Sequence, residues 1–279
     1  MEILRTPAAL RAWRTGLEGQ VGLVPTMGYL HDGHMSLVAR CVEENDVATA
    51  SLFVNPTQFG KGEDFGTYPR DEARDFEMFE SAGIVAVYAP SVEAMYPGGF
   101  GTTVQPGAVA EPLEGASRPG HFVGVTTVVA KLFNGVQPHR AYFGKKDAQQ
   151  LRVIRAMVRD LDMAVEIIGC PIVREPDGLA MSSRNVYLTP EERKAAPVVY
   201  RALTAAQDAY LTGEHESARL RELFRRAIAG EPLAELDYVS IADDVTLAEV
   251  NVKIERRAVL STAVRFGRTR LIDNVELGI

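Results

Sequence analysis

The sequence predicts an α/β fold: a parallel sheet with helices on both faces, followed by a smaller α+β C-terminal domain. Three observations carry this expectation. Up to about residue 173, short runs rich in Val, Ile and Ala alternate with stretches of helical periodicity, the sign of repeated strand–helix–strand units. Several of those runs end in Gly, Pro or Asn and then polar residues, as strands do on reaching a common sheet edge. After the turn-forming Arg174-Glu175-Pro176-Asp177-Gly178 the order becomes helices and then strands, which divides the chain into domains over residues 1–174 and 175–279.

Residues 21–24 read as a buried strand, and a helix is expected to begin on His34, with Leu37, Val38, Cys41 and Val42 on one apolar face. A strand over 47–54 completes a βαβ unit. Phe76, Phe79 and Ala82 mark a helix leading to a strand at 84–88. Residues 90–120, rich in Gly and Pro, read mostly as loop, and a loop of that length in a compact domain is expected to be functional. Val125, Val128, Val129, Leu132 and Phe133 form a helical face before a strand at 141–143; Leu151, Ile154, Val158 and Leu161 form another before 165–168. Thr189-Pro190-Glu191-Glu192 combines an N-cap, a first-turn proline and a capping-box glutamate, so a helix starts there, with a kink expected at Pro197. A helix over 217–229 turns Leu220, Leu223, Phe224, Ala227 and Ile228 inward. Strands follow at 236–241, 258–266 and 270–275, the middle one alternating Ala258, Leu260, Thr262, Val264 and Phe266.

A chain of 279 residues, 46% of them hydrophobic, has the length for two domains and a sizeable core. Its formal charge of -7 and pI near 5.4 argue against the broad basic face that nucleic acid requires, whereas a small anion needs only a local cluster. No apolar stretch approaches the roughly 18 residues of a membrane span, and residues 1–16 lack the apolar core of a secretory signal, so the expected location is cytoplasmic. Cys41 and Cys170, in a predicted helix and at a strand end, suit buried thiols rather than a disulfide.

Four polar clusters carry the chemistry. In Pro25-Thr26-Met27-Gly28-Tyr29-Leu30-His31-Asp32-Gly33-His34 a strand breaks at Pro and Gly and a helix opens beside two imidazoles, where unpaired N–H groups and the helix dipole favour an anion such as a nucleotide phosphate. The bare spacing also fits a tight turn with two solvated histidines, or a metal pair. Phe53-Val54-Asn55-Pro56-Thr57-Gln58-Phe59 presents two amides beyond a strand end, a pairing suited to a hydroxylated acid. Phe143-Gly144-Lys145-Lys146-Asp147 brings a mobile ammonium to another strand end, ahead of Gln149 and Gln150. Met181-Ser182-Ser183-Arg184-Asn185 adds two hydroxyls and a guanidinium suited to phosphate oxygens.

Together with Tyr68-Pro69-Arg70 and Glu114-Gly115-Ala116-Ser117-Arg118-Pro119-Gly120-His121-Phe122, these segments, in this order and over nearly the whole chain, resemble the signatures of the pantothenate synthetase (pantoate–beta-alanine ligase) family, within a wider nucleotidyltransferase group built on a His-x-Gly-His loop. The resemblance implies a Rossmann-like first domain that binds ATP and pantoate, with a C-terminal domain that closes over the active site. It implies an ATP site of Met27, Gly28, Tyr29, Leu30, His31, Asp32, Gly33, His34, Gly144, Lys145, Lys146, Asp147, Val173, Met181, Ser182, Ser183 and Arg184, with His34 as proton donor. Gln58 and Gln150 would hold pantoate, Gln58 also lying near beta-alanine, and Asn55, Tyr68, Arg118 and His121 would line or support the acid and amine pockets. Thr57 stands where the family commonly has Met, and Lys145 where it commonly has Glu.

The implied reaction joins D-pantoate and beta-alanine through pantoyl adenylate, releasing pyrophosphate and then AMP. Its first step brings anion to anion, and His31, His34, Lys146, Arg184 and the helix N-terminus are the groups expected to screen that charge. Mg²⁺ would arrive with ATP, since no carboxylate cage for a resident metal is evident, and the resemblance implies a homodimer. Two other readings compete: a nucleotidyltransferase acting on a phosphorylated alcohol, separated by amine-dependent AMP release, and a silent nucleotide-binding or dimerisation module, separated by pyrophosphate exchange. An aminoacyl-tRNA synthetase fits poorly with a short, acidic chain.

Overall fold

The computed structural model describes residues 1–278. It divides into two compact units, one of Met1–Lys145 with Gln150–Pro171 and the other of Lys146–Gln149 with the chain from Ile172 onward.

The first unit is built on six strands: β1 (Glu2–Leu4), β2 (Val21–Thr26), β3 (Val47–Leu52), β4 (Ala86–Tyr88), β5 (Arg140–Gly144) and β6 (Glu166–Cys170), in the order β1-β4-β3-β2-β5-β6. Every pairing is parallel. A sheet covered on both faces needs apolar side chains on both, and β2 supplies them as a continuous run: Val21 and Leu23 enter one core, Val24 the other. The first core also takes Leu10 of α1 (Pro7–Thr15), Val125 and Val129 of α6 (His121–Val136), and Ile154 of α7 (Ala148–Asp160). The second takes Leu37, Val38 and Cys41 of α2 (Asp32–Glu44) and Phe79 of α3 (Glu72–Ser81). Both thiols are buried, and burial pushes the Cys41 thiol up to about 12.

Local chemistry moved three predicted boundaries. Helix α2 starts two residues before His34, because the His31 imidazole caps it. β3 stops at Leu52 rather than at residue 54, as the chain turns into Asn55-Pro56, where proline offers no ladder N–H. Leu161 is half exposed instead of inward, since α7 has ended and Asp162 is left-handed at φ 49°. The long segment after β4 is mostly loop, with short helices α4 (Val92–Met95) and α5 (Glu114–Ser117).

The second unit carries α8 (Pro190–Ala195), α9 (Val198–Leu211) and α10 (Ser217–Ala229), then an antiparallel sheet of β7 (Ala234–Asp243), β8 (Ala258–Phe266) and β9 (Thr269–Leu277) in that order. The capping box forms as expected, Thr189 and Glu192 each satisfying the other's backbone N–H. Pro197 stands at the N-cap position of α9, after α8 has ended, instead of kinking a single helix. Helix α10 has the predicted bounds, with Leu220, Phe224 and Ile228 buried at four-residue spacing. Leu223 is 41% exposed, displaced from that stripe by one helical step. Central β8 does not alternate in burial: every residue but Arg265 is buried, because both faces of the strand are covered. No helix among the described residues is long and apolar enough to cross a membrane.

Candidate active site

The histidine loop is held by its backbone. Thr26 Oγ1 donates to Ser51 O at 2.9 Å and accepts from Gly28 N, tying the end of β2 to β3. Gly28 and Tyr29 are both left-handed, at φ 86° and 51°, and a Cβ on Gly28 would lie 2.6 Å from Leu52 Cδ1 and 2.8 Å from Asp75 Oδ2. Asp75, on α3 and 1% exposed, accepts from Tyr29 N at 2.7 Å and Leu30 N at 2.8 Å, one oxygen for each. Burial raises its pKa, and the two N–H bonds offset only part of that shift. Arg74 donates to Leu30 O at 3.1 Å on the other side of the loop. His31 then caps α2, its Nδ1 accepting from Gly33 N at 3.1 Å, so the neutral ring carries its proton on Nε2. Its ring lies 4.0 Å from that of His34, in the first helical turn.

Next along the sheet edge, the turn after β3 makes a closed amide network. Asn55 Nδ2 donates to Gln58 Oε1 at 3.0 Å and to Gly124 O at 3.1 Å. Asn55 Oδ1 accepts from Tyr96 OH at 2.8 Å, Thr57 Oγ1 at 2.9 Å and Thr57 N at 3.3 Å. The Asn55 amide is thereby consumed by the protein, and it fixes the buried Gln58 side chain with Nε2 as its donor end, which donates to Met27 Sδ of the histidine loop at 3.0 Å. Gly124 permits the approach, since a Cβ there would sit 2.4 Å from Thr57 O. The Gln58 main-chain carbonyl accepts from His121 Nδ1 at 2.8 Å and from Arg118 Nη2 at 3.1 Å. A carbonyl accepts only, so His121 carries its proton on Nδ1 and takes Arg118 Nη1 on Nε2. Burial, and then the adjacent guanidinium, push His121 down to about 4. Arg118 is itself clamped by both oxygens of Glu63, each at 2.7 Å; burial would raise Glu63, but the paired Arg118 holds it below the usual carboxylate range.

Tyr68, 6% exposed, packs edge-on against Phe59, and half-buried Gln150 sits in the first turn of α7. Lys145 N bonds Cys170 O at 2.9 Å beside the end of β5.

In the second unit, Lys146 and Ser182 line one small cleft with Ala180, Tyr200 and Asp273. Residues 173–181 form a hairpin, Met181 N bonding Val173 O at 3.0 Å and Glu175 N bonding Leu179 O at 2.8 Å. Ser182 Oγ caps the following 3-10 turn by accepting from Arg184 N at 3.3 Å, which leaves its hydroxyl proton to donate elsewhere. Ser183 is buried at 6% exposure. Lys146 Nζ stands 4.0 Å from Asp147 Oδ1.

The family model for pantoate-beta-alanine ligase matches residues 2–276. The chain belongs to the pantoate–beta-alanine ligase family. A pantothenate synthetase of Roseiflexus castenholzii is 59% identical over 274 residues, covering 98% of each chain. The crystal structure of pantothenate synthetase from Thermus thermophilus superposes with a TM-score of 0.93 at 51% identity, covering 99% of each chain. That of a pantoate–beta-alanine ligase from Francisella tularensis, complexed with beta-gamma ATP and beta-alanine, gives 0.82 at 36% identity, covering 99% of this chain and 97% of that one.

On this ligase fold, three of the four clusters start where neighbouring strands β3, β2 and β5 end, at the carboxyl edge of the parallel sheet. Within the first unit Met27, Asn55, Gln58, Arg118 and His121 are joined by hydrogen bonds; within the second, Lys146 and Ser182 share a cleft. Several supporting residues escape sequence reasoning: Asp75, Glu63, Tyr96 and Gly124. Asp75 and Glu63 look like surface acids in sequence. Only Tyr96 carried a signal, lying in the long loop expected to be functional.

Proposed function

We propose that the chain catalyses the ATP-dependent condensation of D-pantoate with beta-alanine to pantothenate, AMP and pyrophosphate. The observation that carries the reading is the Gln58 amide, oriented by Asn55 and donating to Met27 of the histidine loop, so that the proposed acid-binding group adjoins the proposed nucleotide loop. In the first half-reaction a pantoate carboxylate oxygen attacks the α-phosphorus of ATP, and the bond to the bridging oxygen of pyrophosphate breaks. In the second, the neutral amine of beta-alanine attacks the acyl carbon, the bond to AMP breaks and the amine loses its proton.

In this reading the first unit supplies His34 as proton donor and His31 Nε2–H as a phosphate donor, with Gln58 and Gln150 on pantoate. The second supplies the Lys146 ammonium, the Ser182 hydroxyl and the Arg184 guanidinium to the phosphates. ATP enters as its Mg²⁺ complex, the metal arriving with the phosphates. Asn55, Arg118 and His121 act behind Gln58 rather than on substrate, because their polar groups are engaged with the protein. A homodimer in the cytoplasm and closure of the second unit over bound ATP complete the proposal.

The test is a coupled assay with ATP, D-pantoate and beta-alanine, each omitted in turn. AMP release requiring all three, with label exchange between pyrophosphate and ATP requiring pantoate alone, is the expected result. AMP release without the amine, or no exchange with pantoate present, would reject the proposal.

A further inference from the structure

We infer that Asn274 is a positioning residue for adenylate formation, holding Lys146 in its working place through the Lys146 main-chain carbonyl; the inference rests on the phosphate role proposed for Lys146. Asn274 Nδ2 donates to Lys146 O at 2.9 Å across 128 positions of sequence. A lysine ammonium on a flexible four-carbon stem is placed only as well as its own backbone is. Lys146 lies in the turn between β5 and α7, and a hydrogen bond to its carbonyl restrains the peptide plane that follows it and so narrows the directions open to its Cα–Cβ bond.

The anchor is rigid. Asn274 is 4% exposed and sits within the β8–β9 ladder opposite Ser261, itself paired with Ser240 of β7. Its own N–H donates to Asp273 Oδ1 at 2.8 Å. Asp273 is gripped in turn by both guanidinium nitrogens of Arg174, at 2.6 and 3.0 Å. Arg174 also donates to Gly178 O at 3.1 Å and stacks 3.8 Å from the centre of the Tyr200 ring, which fastens the hairpin leading to Ser182. Two adjacent residues of β9 thus hold both loops: Asp273 the Ser182 hairpin, Asn274 the Lys146 turn. The spacing of hydroxyl and ammonium along that cleft is set by one strand.

A double-mutant cycle on the full chain tests this, read by pantoate-dependent exchange between ATP and labelled pyrophosphate. Asn274→Ala is expected to slow exchange about tenfold, the kinetic weight of one buried hydrogen bond, with the pantoate KM unchanged. In a Lys146→Ala background it should cost nothing further, since the group being aimed is gone. Asn274→Leu keeps about the volume but lacks the donor and should match Asn274→Ala; if the alanine variant does not fold, the leucine variant carries the cycle. Aminolysis of preformed pantoyl adenylate should be unaffected throughout. Wild-type exchange in Asn274→Ala, equal losses in both backgrounds, or aminolysis falling in step with exchange would overturn the inference. Wild-type exchange in Lys146→Ala alone would remove the proposed role of Lys146, and the inference with it.

Discussion

Asn55 Nδ2 donates to Gln58 Oε1 at 3.0 Å, and that bond decides which end of the Gln58 amide is left to donate. Asn55→Ala would free the amide to turn over, remove a donor from Gly124 O and leave Tyr96 OH with Thr57 Oγ1 at 3.3 Å as its hydrogen-bond partner. The expected outcome is a loss of about 1–3 kcal/mol in stability by urea denaturation and a pantoate KM raised roughly tenfold, with little change in the KM for ATP. An unchanged pantoate KM would remove Asn55 from the positioning of Gln58.

His34→Ala is expected to slow pantoyl adenylate formation about 10²–10³-fold, the range for losing one well-placed donor at a developing anion. Rapid-quench measurement of the first half-reaction reads this directly. Adenylate formed at the wild-type rate would exclude His34 from the chemistry.

Asp75 holds Tyr29 N and Leu30 N with one oxygen each. Asp75→Asn keeps the size but turns an NH₂ toward one of those donors, so the loop loses a charge-assisted bond worth about 1.5–3 kcal/mol. Faster hydrogen exchange at the Tyr29 and Leu30 amides should accompany a raised KM for ATP; protection equal to wild type would show that Asp75 does not hold the loop.

The buried His121 ring makes stability depend on pH. It titrates near 4 in the folded protein, against an unfolded value of 6.5. Between those values the unfolded chain binds more protons, so the contribution is present above about pH 6.5 and is lost as pH falls toward 4, by up to about 3 kcal/mol. Arg118, Glu63 and Glu114 set the charge around it. Denaturant midpoints across this range should fall steeply for wild type and more gently for His121→Gln; parallel curves would assign the acid sensitivity elsewhere.

Much of the fold was legible because one-dimensional patterns report local preferences. The β2 run and the Thr189–Glu192 capping box each place their signal within a few residues and formed as expected, as did the α10 stripe apart from Leu223. The start of α2 was misread because a histidine cap is uncommon and a proline-glycine turn ahead of it suggested a later beginning. Burial of β8 departs from alternation because both of its faces are covered, which the spacing of its own residues does not record. In the site, Gln58 and Lys146 stood out by chemical type at strand ends, whereas Asp75 and Asn274 carried no motif, since what they do depends on a backbone group 45 or more positions away.

Sequence alone determined the α/β class, the order of the elements and the family, because periodicity, turn chemistry and motif order are properties of neighbouring residues. Tertiary structure alone decided that Asn55, Arg118 and His121 each bond Gln58, and that Asn274 reaches the carbonyl of Lys146. Side-chain type limits which bonds a residue is able to make; only the folded geometry assigns each donor its acceptor.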